Sequence, residues 1–227
     1  MIVSKLLSKA IKLWLNSQVS AIQDLEIVVL SENRQILKGN IPQILIKATH
    51  VIYKDLHLSK LKIDGNNIKF DLSQIIKQKN FRLQESIKVS LELSLSASDL
   101  QNSCSAKIFS PALTEIWCHF LKQSHSQNLC LDDYYQWNNI SILESGIAIQ
   151  GYFKRQENLD FLKLKTQVEL GDSHTLLLTP KEIITSEELP IITNETLNFD
   201  LGKEVKINFL EINEEQISLQ GEISVYP

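Results

Sequence analysis

The sequence predicts an α+β protein that is mainly antiparallel β, and we expect residues 1–227 to form a single domain. Three observations predict this class. Alternating apolar runs recur in three paired stretches, an apolar-rich helix opens the chain, and a second helix interrupts the strands in mid-chain. We expect a strongly curved sheet of long hairpins that wraps around the N-terminal amphipathic helix.

The first predicted element is a helix from residue 2 to about residue 22. Lys5, Lys9 and Lys12 share one narrow stripe, and apolar side chains fill most of the remainder. The apolar arc is about 200° wide, against ~100° for an ordinary surface helix. Such a helix needs cover on more than one side, from a wrapping sheet or from protein on one flank and lipid on the other. The alternative is a core helix with its lysines in solvent.

The paired stretches share one spacing, in which two short alternating runs flank a polar turn. They lie at residues 61–70, 140–151 and 210–221, with turns at 64–67, 143–146 and 213–216. Alternation with a period of two places the apolar side chains on one face of a strand pair. Gly, Asn and Asp in the turns are typical of hairpins. The sequence therefore predicts three hairpins, each with one apolar face.

Further alternating runs at residues 87–95 and 161–170 predict strands on both sides of a helical segment. Ser110 and Pro111 provide a capping side chain and a proline at the first helical position. The apolar residues that follow recur at helical spacing and form one stripe. They are Leu113, Ile116, Trp117, Phe120 and Leu121. The sequence thus predicts a second, mid-chain helix.

The bulk composition narrows the function classes. A formal net charge of −4 argues against a general nucleic-acid surface, so no nucleic-acid partner is expected. Three cysteines without regular spacing predict no disulfide framework. The lysines interrupt the apolar N-terminus, so it is a poor match to a signal peptide or a membrane span. We expect a cytoplasmic protein or one peripheral to a membrane.

No motif in the chain predicts catalysis, a metal or a cofactor. Cys118, His119, His125 and Cys130 lie close in sequence, but they lack the tight pairs of a structural zinc site. The five histidines form no paired motif, and no nucleophile elbow or phosphate-binding glycine loop is present. The expectation is a protein that is not an enzyme, with no catalytic residues, no metal and no cofactor.

An aromatic cluster follows the mid-chain helix. Tyr134, Tyr135 and Trp137 are residue types that favour boundaries between apolar and wet surroundings. Together with Lys5, Lys9 and Lys12 they are candidates for contact with a membrane surface, where basic residues favour anionic headgroups. A packing cluster that closes the sheet is the alternative.

Several short motifs, in this order, resemble one known family. They are Ile-x-Leu-Trp-Leu-x-Ser-Gln-Val at 11–19, Arg-Gln-Ile-Leu-x-Gly-x-Ile-Pro at 34–42, Tyr-x-x-Leu-His-Leu at 53–58, Leu-Ser-x-x-Asp-Leu-x-x-Ser at 95–103, Asp-Leu-Gly-x-x-Val at 200–205 and Leu-x-Gly at 219–221. The chain resembles the LmeA-like phospholipid-binding family, in particular its cyanobacterial branch. The resemblance implies a fold similar to tubular lipid-binding domains, in which a curved antiparallel sheet surrounds a long helix and leaves an apolar cavity. It transfers no individual binding residue.

The leading hypothesis is a non-catalytic protein that binds phospholipid or another lipid in an apolar groove and is peripheral to a membrane. The candidate lipid-binding residues are Leu6, Ile11, Trp14, Leu91, Leu93, Ile147 and Ile149. The alternative is a structural or adaptor module with a filled core and an unknown protein partner. A lipid-directed enzyme would need a histidine and a carboxylate that converge in the cavity, with His57 and His174 as the histidines to test.

Overall fold

The computed structural model describes residues 2–73, 81–123, 134–155, 158–186 and 195–227. Within them lie four helices: α1 (Ile2–Gln18), α2 (Asn33–Leu37), α3 (Ala97–Asn102) and α4 (Phe109–Gln123). The strands of the first half are β1 (Ala21–Leu30), β2 (Asn40–Tyr53), β3 (Leu56–Lys69) and β4 (Ile87–Ser96). Those of the second half are β5 (Tyr134–Leu143), β6 (Gly146–Arg155), β7 (Asn158–Asp172), β8 (Thr175–Thr185), β9 (Leu197–Asp200), β10 (Val205–Ile212) and β11 (Gln216–Val225).

The strands form two antiparallel sheets, and neither is a closed barrel. The six-stranded sheet has the order β1-β2-β3-β4-β11-β10, and the five-stranded sheet has the order β5-β6-β7-β8-β9. The C-terminal hairpin therefore returns to the N-terminal sheet and pairs with β4. The predicted class, mainly antiparallel β with an N-terminal and a mid-chain helix, is confirmed.

Two of the three predicted hairpins are confirmed by strand register. Ile140 pairs with Ile149 in the β5–β6 hairpin, and Leu210 pairs with Leu219 in the β10–β11 hairpin. Both carry a bulge opposite a glycine. A Cβ on Gly151 would lie 2.6 Å from a backbone oxygen of β5, and one on Gly221 would lie 2.2 Å from a backbone oxygen of β10. Glycine at these two positions admits a close backbone approach that any side chain would block.

The hairpin predicted at residues 61–70 is wrong. Strand β3 runs straight through the expected turn, and Gly65 pairs with Ile44 on one side and Val89 on the other. Gly65 is buried, so it serves close packing inside the sheet instead of a turn. The actual turn joins β2 to β3 at Lys54 and Asp55, whose φ angles are +48° and +66°. Two successive positive φ angles are the signature of a type I′ hairpin turn.

Helix α1 covers one end of the six-stranded sheet. Leu7 and Ile11 are each 2% exposed and pack in one cluster with buried side chains of β2 and β3. The opposite face of the helix is bare, because Leu6 is 61% exposed and Leu13 is 63% exposed. The wide apolar arc is thus covered by protein on one side only. In the part of the chain that the structure describes, no helix is long and apolar enough to cross a membrane.

Helix α3 joins β3 to β4 through a small polar network. The Asp99 carboxylate accepts hydrogen bonds from the hydroxyls of Ser59 and Ser96 and, at 2.9 Å, from the Ser96 backbone N–H. The Ser96 hydroxyl in turn accepts from the Asp99 N–H, which completes a capping box. Burial works to raise the pKa of Asp99, but the hydrogen bonds from Ser59 and Ser96 outweigh it and lower the pKa below its ordinary value.

The Asp99 network predicts a pH-dependent loss of stability. Because its pKa is lowered in the folded state, Asp99 stabilises the fold above its ordinary, unfolded pKa, and this contribution disappears as the pH falls through the folded value. Ser96→Ala should lower the free energy of unfolding by about 1 kcal/mol, the usual effect of losing an N-cap. Denaturant titrations at several pH values should show the gap between native protein and Asp99→Asn narrowing in acid. A gap that is constant with pH would contradict the role of the charge.

Candidate lipid-binding site

An apolar cavity of about 300 Å³ lies between the two sheets. The six-stranded sheet supplies Leu56, Leu95, Leu210, Ile212, Ile217 and Leu219. The five-stranded sheet supplies Ile147, Val168, Leu176, Leu178 and Phe199. The helices and the residue just before α4 supply Leu100, Ile108, Phe109, Ala112, Leu113 and Ile116. Every one of these side chains is apolar.

Helix α4 forms one wall of the cavity because of its sequence period. Ala112 and Ile116 are four residues apart and therefore lie above one another on the same face. The predicted stripe is buried, and it divides between two tasks. Leu113 and Ile116 line the cavity, whereas Trp117, Phe120 and the rest of the stripe pack in the core against the five-stranded sheet. The small side chain of Ala112 leaves room that a larger residue would fill.

The cavity reaches the surface at Ile108, which is 52% exposed. Ile108 also lines an open surface depression together with Ser20, Lys54, Asp55 and Lys107. Both lysines are exposed, and the ammonium of Lys54 lies 5.2 Å from the centre of the Tyr53 ring. An apolar interior therefore meets a mouth with two positive charges and one negative charge.

The lining of the cavity is apolar throughout. Among the described residues its lining holds no titratable side chain. Neither His57 nor Asp99 lines the cavity. Burial raises the pKa of the Cys104 thiol to about 11, so this core residue stays protonated. No group of three or more potential metal ligands occurs within the described part of the chain.

The candidate lipid-binding residues fall in different places. Ile147 lines the cavity, and Ile149 is fully buried in the core beside it. Leu93 pairs with Leu61 and Leu219 on the apolar face of the six-stranded sheet, and Leu91, two residues away, is half-buried. The structure therefore brings Ile147 and Ile149 together at one site and Leu93 near its edge.

The residues predicted on α1 lie away from the cavity lining. Ile11 is buried against β2 and β3, and Trp14 packs at 5.6 Å between ring centres on Phe81. Leu6 is exposed, together with Lys9 and Lys12. The side chain of Lys5 lies outside the described residues. A lipid contact for the α1 residues stays a prediction.

The aromatic candidates sit at the start of β5. Trp137 is 5% exposed and donates a hydrogen bond of 3.1 Å from its indole N–H to Thr114. Tyr135 stacks on Trp137 and on Phe153, each at 6.0 Å between ring centres. The side chain of Tyr134 lies outside the described residues. In the structure Trp137 is packed inside the protein. Membrane contact of this cluster stays a prediction.

Several lining residues were missed by the sequence reasoning, although a signal for some existed. Leu210, Ile212, Ile217 and Leu219 belong to the predicted C-terminal hairpin, whose apolar face was recognised. What the sequence lacks is the partner of each face, because contacts between the two sheets join segments that lie far apart in the chain. One such contact is the 2.7 Å hydrogen bond from the Ile207 N–H to the Ser173 carbonyl.

The fold and the cavity define a class: a mainly antiparallel β protein with an apolar, surface-reaching cavity between two sheets. A comparison with protein families matches residues 2–222 to the family described as LmeA-like phospholipid-binding, and the chain belongs to this family. Searches of curated proteins and of solved structures give no match.

Proposed function

We propose that this chain binds a phospholipid by holding a segment of one acyl chain in the cavity, with the headgroup at the mouth beside Lys54 and Lys107. The observation that carries the proposal is the wholly apolar lining of a cavity that opens at Ile108. Apolar cavities stay dry and accept apolar ligands. A volume of about 300 Å³ is at the lower end for ligand pockets, which suits one chain segment and leaves the headgroup outside.

The same lining supports binding that needs no chemical step. Each methylene transferred from water contributes about 0.8 kcal/mol, so a chain segment binds usefully without any polar contact inside the cavity. The adaptor hypothesis requires a filled interior, and the cavity supports the lipid hypothesis over it.

Helix α1 supports a peripheral position on a membrane. Leu6 and Leu13 are two turns apart on one exposed face, and Lys9 and Lys12 are exposed along its flank. An apolar face bordered by lysines is typical of helices that lie in the membrane interface. In this arrangement the helix holds the protein on the bilayer while the cavity takes up the lipid.

The direct test is native mass spectrometry of the full chain after incubation with phospholipid vesicles. The expected result is a one-to-one adduct with the mass of a phospholipid, together with transfer of fluorescent phospholipid between vesicles. Glycerophosphocholine, which lacks acyl chains, is the control and should give no adduct. A mass spectrum with only the bare protein, combined with no transfer, would overturn the proposal.

The two lysines at the mouth predict a preference for anionic phospholipid, and reversing their charges should remove it. Lys54→Glu with Lys107→Glu should weaken binding of anionic phospholipid by at least about thirtyfold, since each lysine near a headgroup contributes about 1 kcal/mol and both charges are reversed. Binding of zwitterionic phospholipid should change little. Lys181→Glu with Lys203→Glu, two exposed lysines outside the mouth, is the matched control. Equal losses in the two double variants, measured by vesicle transfer, would place the headgroup elsewhere.

A further inference from the structure

A polar groove of about 440 Å³ crosses the six-stranded sheet on the face opposite the apolar one. Strand register places Thr49, Lys60, Ser94 and Ser218 side by side on β2, β3, β4 and β11. Opposed residues in antiparallel strands have Cβ atoms about 4.5–5.5 Å apart. Because side chains alternate along a strand, this row points away from Leu93 and from the cavity.

A neighbouring row crosses the same face. Lys47 pairs with Lys62, Lys62 with Glu92, and Glu92 with Gln220. The groove is thus lined by three lysines, several hydroxyl and amide groups, the carboxylates of Asp24 and Glu92, and one alanine and three leucines of the same strands.

Ser94 is the unusual member of the groove. Its residue is 8% exposed, and its hydroxyl has no hydrogen-bond partner. A buried polar group without a partner destabilises the fold, so native proteins rarely keep one without a reason. A ligand oxygen in the groove would supply the missing partner.

Within the described part of the chain, some charged side chains of the groove have partners inside it and others do not. Lys62 forms a salt bridge of 2.6 Å with Glu92, and Asp24 accepts a hydrogen bond of 2.7 Å from the Thr49 hydroxyl. Among the described residues, no carboxylate lies within 4 Å of the ammonium of Lys47 or Lys60. Two ammonium groups therefore remain for a ligand, beside a buried hydroxyl.

We infer that this groove binds the phosphate group of a phosphate monoester. Lys60 and Lys47 would donate charge-assisted hydrogen bonds to phosphate oxygens, and Ser94 would donate its hydroxyl. This site lies on the opposite face of the sheet from the lipid cavity and does not depend on the proposed lipid binding. The phosphate can belong to a soluble ester or to a phosphatidate headgroup at a bilayer, since both present the same chemistry.

The test is isothermal titration of the full chain with sn-glycerol 3-phosphate. Native protein should show saturable binding, and Lys60→Gln should weaken it by about tenfold, the effect of losing one charge-assisted hydrogen bond. Glu92→Gln should strengthen it, because Lys62 is then released from its salt bridge. Lys88→Gln is the matched control, an exposed lysine of β4 six residues from Ser94, and should change nothing.

Ser94→Ala separates a ligand contact from a structural role. Removing an unpartnered buried hydroxyl should leave the free energy of unfolding unchanged or raise it, and yet phosphate binding should weaken. A loss of stability with unaltered phosphate binding would overturn the inference. Unaltered phosphate binding in Lys60→Gln would also overturn it.

Vesicles separate the two sources of the phosphate. Binding of soluble glycerol phosphate that depends on Lys60 and Ser94 assigns the groove to a soluble ester. Binding only to phosphatidate vesicles, with the same dependence, assigns it to a headgroup. The cavity variant Ala112→Phe should leave the binding of soluble glycerol phosphate unchanged, so a failure of the lipid proposal is distinguishable from a failure here. No binding of either ligand overturns the inference.

Discussion

Replacing Ala112 by leucine or phenylalanine should reduce phospholipid binding in proportion to the volume added, because Ala112 lines the cavity on α4. Leucine adds three carbons, which displaces about three methylene groups of a bound chain at about 0.8 kcal/mol each. The affinity measured by vesicle transfer should therefore fall by more than tenfold in Ala112→Leu and further in Ala112→Phe. Leucine is close to alanine in helix propensity, so α4 itself is little affected.

The stability of these variants distinguishes a filled cavity from a damaged fold. A side chain that occupies empty apolar space leaves the melting temperature unchanged or raises it, whereas overpacking of a filled core lowers it. Ala97→Phe is the matched control, because Ala97 is exposed on α3. A stable Ala112→Phe that still carries phospholipid at native affinity would show that the acyl chain does not enter this cavity.

Much of the fold was predictable because its signals are local. The β5–β6 and β10–β11 hairpins follow from short alternating runs that pair across a nearby turn, and register needs no other information. Helix α4 follows from a stripe at helical spacing and from a proline in its first turn. The predicted cap is wrong, because the helix begins at Phe109 and Ser110 lies inside it. In each case the residues that specify the element lie within about fifteen positions of one another.

The first hairpin was mispredicted for a physical reason. Asp64, Gly65 and Asn66 have the composition of a turn, but β2 and β4 pair with β3 on both sides across this segment. Two ladders of backbone hydrogen bonds outweigh a local turn preference. The true turn at Lys54 and Asp55 has neither glycine nor asparagine at its positive φ angles, so composition gave no signal.

The sequence indicates that apolar faces exist, but it does not indicate where they meet to form the cavity. The apolar faces that surround it are visible in the alternation of β4 and β11, and Ile147 was named among the candidates. Which faces oppose one another is decided by the return of the C-terminal hairpin to β4, a contact between segments more than 100 residues apart. Helix α1 packs against side chains of the six-stranded sheet, and its own sequence does not specify which strands it contacts.

The exposed leucines of α1 lead to the second large expected effect. Leu6→Gln with Leu13→Gln should reduce association with phospholipid vesicles by at least tenfold, since a fully buried leucine contributes about 1.5–3 kcal/mol. Glutamine is a good helix former, and both side chains are more than half exposed, so α1 should keep its fold. Co-sedimentation with vesicles measures the loss, and circular dichroism verifies the helix content.

The leucines and the lysines of α1 should respond differently to lipid and salt. Lys9→Glu with Lys12→Glu should weaken association with anionic vesicles, and the loss should be largest at low salt. At high salt, ions screen the attraction between lysines and headgroups, so the difference from the native protein becomes smaller. The leucine variant should lose association with neutral vesicles as well. Phe209→Gln is the control, since Phe209 is 43% exposed on β10, at the opposite edge of the six-stranded sheet from β1, which α1 contacts. The prediction would be contradicted if vesicle association survived in the leucine variant and fell in Phe209→Gln. The membrane contact would then be assigned to the β10 edge and not to α1.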